Sequence, residues 1–165
     1  GLTGLTNRRA LDERLQAELA YALRHKTELC ALIVDIDLFK KVNDTHGHLA
    51  GDDVLRRDSA LLDTAVRSED LVGRYGGEEF VVIARSVSVR SAGFLAERLR
   101  KLVADLTIEF EENTLQVTAS FGVAGLSSLA GEPTVEALLA AADGALYRAK
   151  QTGRNRVECH SSVAL

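Results

Sequence analysis

The chain lacks several features that would place it in a specialised class of protein. It has no methionine and only two cysteines, Cys30 and Cys159, which do not form the pattern of a disulfide framework or a cysteine-rich metal site. No apolar run approaches the roughly 18–20 residues of a membrane-spanning helix, and no signal peptide is visible. The net charge of −4 and the lack of a long basic tract argue against a nucleic-acid polymer as a partner.

Linkers, repeats and low-complexity stretches are also missing, so we predict one globular domain over residues 1–165. Cys30 lies in an apolar run, which predicts a buried free thiol and is consistent with a reducing cytoplasm. A membrane-anchored parent protein is compatible with this location. Because a chain without methionine lacks an ordinary start residue, we expect it to be a fragment of a longer protein.

Apolar residues recur with helical and strand-like spacing along the chain. The spacing predicts an opening helix over about residues 7–26 and then a buried strand over about 28–36. The other predicted elements are helices at about 38–45, 50–66, 88–105 and 135–151, hairpins at about 71–84 and 107–125, and a short last strand that ends at Val157. Two consecutive hairpins force antiparallel pairing, so we predict an α+β fold with a mostly antiparallel sheet flanked by helices.

The most informative segment is Gly76-Gly77-Glu78-Glu79-Phe80, which lies between two apolar runs. Two glycines between β-prone runs predict a tight hairpin turn, since such turns need a positive φ. Two carboxylates follow the turn directly, and hard divalent cations bind carboxylate oxygens on a rigid support. From these five residues alone, a metal site and a charged hairpin tip are both open.

A second acidic segment, residues 35–44, follows the predicted buried strand. Asp35 lies at the end of that strand, where we predict a metal ligand. Asp37 is predicted to cap a helix that starts at Leu38. The free N–H groups of that helix and the charge of Lys40 would suit a phosphate.

These two segments resemble the GGDEF domain of diguanylate cyclases, here in its GGEEF variant, a form regarded as active. Further matching motifs are Gly47-His48, Gly51-Asp52, an opening Leu2-Thr3-Gly4-Leu5-Thr6-Asn7-Arg8, and Ala145–Lys150 followed by Gly153-Arg154-Asn155. The resemblance spans about residues 2–158 and implies a palm-like βαββαβ core. The family's Asp, two or three residues before Leu2, is absent, so we expect the chain to begin inside that motif, without its upstream regulatory domain.

The resemblance implies a diguanylate cyclase that condenses two GTP molecules into cyclic di-GMP and releases two pyrophosphates. A ribose 3′-hydroxyl would attack the α-phosphate of the other nucleotide, with two Mg²⁺ or Mn²⁺ ions per active site. The matching metal ligands are Asp35, the carbonyl of Ile36 and Glu78. Glu79 is a further candidate for holding a metal or orienting the site, although strand alternation points it away from Glu78.

The resemblance also implies how the nucleotide is held. The terminal phosphates would contact N–H groups around Leu38 and Phe39, together with Lys40. Lys150 and Arg154 lie four residues apart at the end of the last predicted helix and can project towards the same phosphates. The alternative for that pair is a set of cations opposing the helix dipole.

Two residues match the family's guanine contacts, Asn43 and Asp52. A carboxylate can accept from guanine N1–H and N2–H₂ together, which adenine cannot offer.

Arg67-Ser68-Glu69-Asp70 ends five residues before the signature glycines and matches the family's RxxD inhibitory site for cyclic di-GMP. Arg98, on the following helix, is a candidate further contact.

One domain holds one GTP, so catalysis is expected to need a homodimer. The alternative is a catalytically degenerate module that senses GTP or cyclic di-GMP, and a third option is another nucleotidyl cyclase. Intact carboxylates and phosphate contacts favour the cyclase.

Asp58 interrupts an apolar helical stripe where the family usually has an apolar residue. We expect it to be partly exposed or locally hydrogen-bonded, with a partner interface or a substitution of no consequence as the alternatives.

Overall fold

The computed structural model describes residues 2–161. Within this range the helices are α1 (Arg8–His25), α2 (Phe39–His46), α3 (His48–Ala65), α4 (Val89–Asp105) and α5 (Val135–Gln151), with a 3-10 turn at Leu126–Ser128. The strands are β1 (Leu29–Ile36), β2 (Leu71–Arg74), β3 (Glu79–Arg85), β4 (Ile108–Phe110), β5 (Asn113–Leu115), β6 (Ala119–Gly125) and β7 (Val157–Cys159).

The main sheet has five strands in the order β2-β3-β1-β6-β7. Strand β1 lies at its centre and runs antiparallel to both β3 and β6. The short β7 is parallel to β6, while β4 and β5 form a separate two-stranded sheet. This mixed, mostly antiparallel sheet with flanking helices confirms the predicted α+β class.

The core fills both faces of the main sheet. Alternate residues of β1 point to opposite faces, so Leu32 and Val34 pack in one cluster while Ala31 and Ile33 pack in another. The first cluster contains the buried side chains of α3 and α4, and the second contains those of α1 and α5. The two helix layers hold β1 so tightly that all eight of its residues are buried.

Helix α5 packs on β6 through a close backbone contact at Gly122. A Cβ added to Gly122 would lie 2.1 Å from the Ala142 carbonyl oxygen and 2.3 Å from the Leu146 nitrogen. A strand glycine is used where another backbone approaches closely. The contact fixes α5 against the sheet, and with it the position of Lys150 near the helix end.

Two predicted boundaries differ from the structure. The predicted second hairpin is not continuous, because β5 ends at Leu115 and β6 begins at Ala119 in a different sheet. The chain leaves the small hairpin there so that β6 can pair with β1. Val157 begins the last strand and does not end it.

The expectation for Asp58 was wrong. Its exposed fraction is 0%, and neither carboxylate oxygen has a hydrogen-bond partner. Burial raises the pKa of Asp58 to about 7. By contrast, the buried free thiol predicted at Cys30 is confirmed.

No helix within residues 2–161 has both the length and the apolar character needed to cross a membrane.

Candidate active site

A cleft lies where β1 ends beside the tip of the β2–β3 hairpin. Its lining consists of residues 35–40, Glu78, Lys150 and Arg154, and its volume is about 200 Å³. The antiparallel pairing of β1 with β3 brings the hairpin tip to the end of β1. The structure therefore brings together the predicted metal-binding and phosphate-binding residues. Glu79 is not part of this lining but lies beside Asp35.

The acidic side of the cleft is built from the register of two strands. Asp35 pairs directly with Glu79, so both side chains lie on the same sheet face. Strand β3 begins only at Glu79, and Glu78 precedes it with its carbonyl accepting from the Ile36 N–H at 3.2 Å. Both glutamates thus lie close to Asp35, so the alternation argument for ranking Glu79 lower has little force.

These carboxylates shift one another's pKa. Burial raises the pKa of Asp35, and a hydrogen bond from Lys150 offsets part of that effect. Burial also raises the pKa of Glu79, followed by repulsion from Asp35 and Asp143. Concentrated negative charge of this kind favours the binding of a cation.

Lys150 supplies the compensating charge. Its Nζ lies 2.6 Å from Asp35 Oδ2, and its side chain is 34% exposed. Because α5 packs directly on β6, the lysine reaches Asp35 from the face that Asp35 shares with Glu79. The ion pair therefore links β1 to the last helix across the cleft.

The half of the cleft where we predict phosphate binding begins at an unusual backbone turn. Leu38 has a positive φ of 54° and forms the N-cap of α2 without a side-chain hydrogen bond. The first N–H groups of a helix have no partner within the helix. Leu38, Phe39 and Lys40 all line the cleft, so such groups are available at its wall.

Asp37 is not the helix cap that the sequence predicted. Its carboxylate accepts hydrogen bonds from the Thr118 and Ser120 hydroxyls, both at 2.7 Å, and from the Asn155 N–H at 2.9 Å. These donors belong to β6, the residues before it and the loop after α5, which no local pattern could associate with Asp37. They hold the carboxylate away from the start of α2.

Arg154 reaches the cleft by a route different from the predicted one. Helix α5 ends at Gln151, so Arg154 lies in the following loop rather than one helical turn after Lys150. Gly153 has a φ of 130° and Arg154 a φ of 61°, and the Arg154 N–H donates to the Ala149 carbonyl at 3.0 Å. This turn brings Arg154 back to the same cleft.

The predicted guanine contacts lie together on α2 and α3. A Cβ on Gly51 would lie only 1.9 Å from Asn43 Oδ1, so Asn43 packs against the backbone next to Asp52. Asn43 Oδ1 is buried and has no hydrogen-bond partner. Asn43 is one helical turn beyond Phe39, which lines the cleft.

The RxxD residues lie at the opposite end of β3. Arg67 binds Asp70 through two guanidinium nitrogens at 2.9 and 3.2 Å and also donates to the Arg85 carbonyl. Arg98 donates to the Ala65 carbonyl at 2.9 Å, so it lies beside the same helix end. Strand β3 separates this cluster from Glu79 by about 20 Å.

The donor set suits a cation that needs few protein ligands. Within residues 2–161, no group of three or more His, Cys, Asp or Glu side chains is arranged to hold a metal ion. Asp35 and Glu78 supply two carboxylates and Ile36 a carbonyl. Mg²⁺ is commonly held by one or two carboxylates with substrate phosphates and water as further ligands, so the residues fit such an ion.

Comparison with known proteins assigns the chain to a family. The model described as diguanylate cyclase, GGDEF domain, matches residues 1–156, and the chain therefore belongs to the GGDEF family, whose diguanylate cyclases depend on divalent metal. Diguanylate cyclase DgcP of Pseudomonas aeruginosa is 44% identical over 157 residues, which cover 95% of this chain and 23% of DgcP. The chain spans about a quarter to a third of the length of the curated relatives it matches.

Two solved structures are similar over nearly the whole fold. The GGDEF domain of DgcB from Caulobacter crescentus, in complex with c-di-GMP, has a TM-score of 0.89 at 32% identity, covering 96% of this chain and 90% of that one. The active GGEEF domain of a diguanylate cyclase from Vibrio cholerae has a TM-score of 0.88 at 34% identity, covering 96% and 99%.

Proposed function

We propose that this domain is a diguanylate cyclase that condenses two GTP molecules into cyclic di-GMP and two pyrophosphates. The observation that carries the proposal is the layout of charge in one cleft. Carboxylates of Asp35 and Glu78 lie on one side, and Lys150, Arg154 and the start of α2 lie around them. The similarity to an active GGEEF domain supports the same chemistry for this variant signature.

Each group in the cleft has a distinct role in this proposal. Asp35, the Ile36 carbonyl and Glu78 would hold two Mg²⁺ or Mn²⁺ ions, which supply charge neutralisation and activation of the 3′-hydroxyl when bound. Leu38, Phe39 and Lys40 hold the terminal phosphates from one side. Lys150 and Arg154 hold the same phosphates from the other side, while Glu79, beside Asp35, helps to hold a metal or to orient the site.

Selection of guanine is assigned to Asn43 and Asp52. The buried Asn43 Oδ1 without a partner is an acceptor suited to an amino or imino N–H of the base. Asp52, beside it, would accept from N1–H and N2–H₂ together. Adenine leaves these acceptors unpaired, and a buried site of this kind discriminates strongly against a base that lacks the donors.

The active assembly is a pair of domains, each contributing one GTP, with the two clefts facing each other. Because GTP is an intracellular nucleotide, the proposal places the domain in the cytoplasm. Product would also bind at Arg67 and Arg98, where a guanidinium fork suits a phosphate or a guanine edge. In the structure both Asp70 oxygens pair with Arg67, so product binding requires this pair to open, which frees Asp70 to accept from guanine N1–H and N2–H₂.

The test is an assay of a fusion of this chain to a dimerising coiled coil, incubated with GTP and Mg²⁺ and analysed by chromatography. Cyclic di-GMP is expected, and Glu78→Gln in the same fusion serves as the matched inactive control. Binding of GTP without any product would overturn the cyclase and favour the degenerate sensor.

Arg67→Ala is expected to keep turnover and lose tight product binding in a calorimetric titration. Unchanged product affinity in that variant would remove the inhibitory-site assignment.

A further inference from the structure

The Asp37 carboxylate connects parts of the chain that are far apart in sequence. It is 7% exposed and accepts from Thr118, Ser120 and Asn155, which are 81, 83 and 118 residues away. Its N–H also donates to the Thr118 carbonyl at 2.8 Å. Both carboxylate oxygens are therefore engaged, so Asp37 has little capacity left to act as a ligand for a cation.

The segments joined at Asp37 are the two phosphate-binding walls of the cleft. Asp37 immediately precedes Leu38, Phe39 and Lys40 in the chain. Its partner Asn155 immediately follows Arg154, which lines the cleft with Lys150. The hydrogen bond from the Asn155 N–H therefore joins the residue that precedes 38–40 to the residue that follows Arg154.

The backbone on both sides of this tie is strained. Leu38, Arg154 and Asn155 have φ values of 54°, 61° and 46°, a region that residues other than glycine rarely adopt. Such conformations persist only where the surrounding structure enforces them, and they cluster at ligand-binding sites. Asp37 is bonded to Asn155 itself and is adjacent to Leu38, so it holds two of these three residues.

A second tie restrains the same loop from α4. Asn155 Oδ1 accepts from Arg100 Nη1 at 2.8 Å, and Arg100 is itself paired with Glu97 at 2.6 Å. This tie acts on the side chain of Asn155 and does not reach residues 38–40. The Lys150–Asp35 ion pair joins α5 to β1, whereas the Asp37–Asn155 bond restrains the loop that carries Arg154 relative to residues 38–40.

The geometry points to Asp37 as a positioning residue that fixes the spacing of the two phosphate-binding walls without itself contacting the nucleotide. This inference rests on the proposed function of the cleft as a GTP site. Its consequence is specific: loss of Asp37 weakens binding in proportion to the number of phosphates on the ligand. Binding of the guanine base, which is assigned to Asn43 and Asp52, is unaffected.

The experiment compares ligands that differ only in phosphate number. Calorimetry on the full chain with Mg²⁺ would use GMP, GDP and a GTP analogue with a non-cleavable α–β bridge. Asp37→Asn is expected to lose about 10- to 100-fold in affinity for the triphosphate, as is common when a supporting hydrogen-bonded carboxylate is lost, and almost none for GMP. The matched control, Asp44→Asn, changes an exposed carboxylate on α2 and is expected to leave all three affinities unchanged.

Two further measurements separate positioning from other roles. Mn²⁺ binding without nucleotide, followed by electron paramagnetic resonance, is expected to survive Asp37→Asn and to be weakened by Asp35→Asn. In a double-mutant cycle, Arg154→Ala is expected to cost much less triphosphate affinity in the Asp37→Asn background than in the parent chain. Full additivity would overturn the inference, as would loss of Mn²⁺ binding or equal losses for GMP and the triphosphate.

Two outcomes need separate controls. If Asp37→Asn does not fold, Thr118→Val and Ser120→Ala remove single donors and are expected to show smaller losses in the same order of ligands. If the parent chain binds the triphosphate but forms no cyclic di-GMP, the cyclase proposal fails, while the phosphate-dependent losses still decide the role of Asp37.

Discussion

Two of the three aspartates buried within residues 2–161 have opposite surroundings, Asp37 just after β1 and Asp58 within α3. Asp37 is 7% exposed and receives three hydrogen bonds, whereas Asp58 is fully buried and neither of its oxygens has a partner. Burial disfavours a carboxylate unless donors replace its hydration. The same residue type therefore organises the cleft at one position and opposes folding at the other.

The largest expected effect is on the rate of cyclic di-GMP formation, where a carboxylate of the cleft is compared with one buried outside it. Asp35→Asn is expected to reduce cyclic di-GMP formation by about a thousandfold or more, because it removes a carboxylate where phosphate charge accumulates. Asp58→Ala is the contrasting variant and is expected to keep near-parental turnover, since α3 carries it away from the cleft. Chromatographic rates of the dimerised fusions measure both, with circular dichroism to verify folding. Near-parental turnover in Asp35→Asn would contradict the metal-ligand assignment.

Asp37→Ala is expected to lower the free energy of unfolding by about 2–4 kcal/mol, because two hydroxyls and one N–H lose their acceptor together. Urea denaturation followed by circular dichroism measures this difference. The exposed Asp44→Ala on α2 is the control and is expected to change stability little. Equal denaturation midpoints for the two variants would show that the Asp37 hydrogen bonds make no net contribution to the free energy of unfolding.

Asp58→Ala is expected to change stability in the opposite direction. At pH 8 the substitution removes an ionised carboxylate without partners, so we expect a gain of about 1–3 kcal/mol in the free energy of unfolding. The methyl side chain creates only a small void, which offsets part of the gain. A loss of stability at pH 8 would mean that Asp58 is engaged in an interaction that compensates its burial.

The smallest expected effect is on the pH dependence of stability. Burial raises the pKa of Asp58 from 3.8 to about 7, so the folded state holds a proton between these values that the unfolded state releases. The contribution of Asp58 is thus most favourable below pH 4 and is lost as the pH rises towards 7 and beyond. Denaturation midpoints between pH 5 and pH 8 are expected to fall more steeply in the parent chain than in Asp58→Asn. Parallel curves would rule out titration of Asp58 in this range.

Sequence patterns predicted most of the helices and strands, because each of these elements is specified by residues that are adjacent in the chain. The apolar run before Asp35 gave the buried strand, and the periodicity of residues 135–151 matched α5 at both ends. The GGEEF segment and the residues after Asp35 predicted residues that line the cleft on its acidic side and at the start of α2. In each case, adjacent residues specify the structure.

The parts that sequence patterns missed depend on residues distant in the chain. Asp37 has the local pattern of a helix cap, but its donors at Thr118, Ser120 and Asn155 are assembled only by the sheet. Likewise, the break between β5 and β6 follows from pairing with β1, and no turn residue marks it. The interruption at Asp58 was visible in the helical pattern, but its lack of a partner became evident only from the packing of α3.

The Gly122 contact has a mechanical consequence for the cleft. Where side chains separate two elements, a rotamer change can absorb a small displacement. Two backbones in direct contact cannot adjust in this way, so one of them must move. Helix α5 therefore moves as a rigid unit on β6, and a displacement at its middle also displaces Lys150 near its end. A single methyl group at residue 122, on a strand that supplies no side chain to the cleft's lining, would therefore misplace a charge of the cleft.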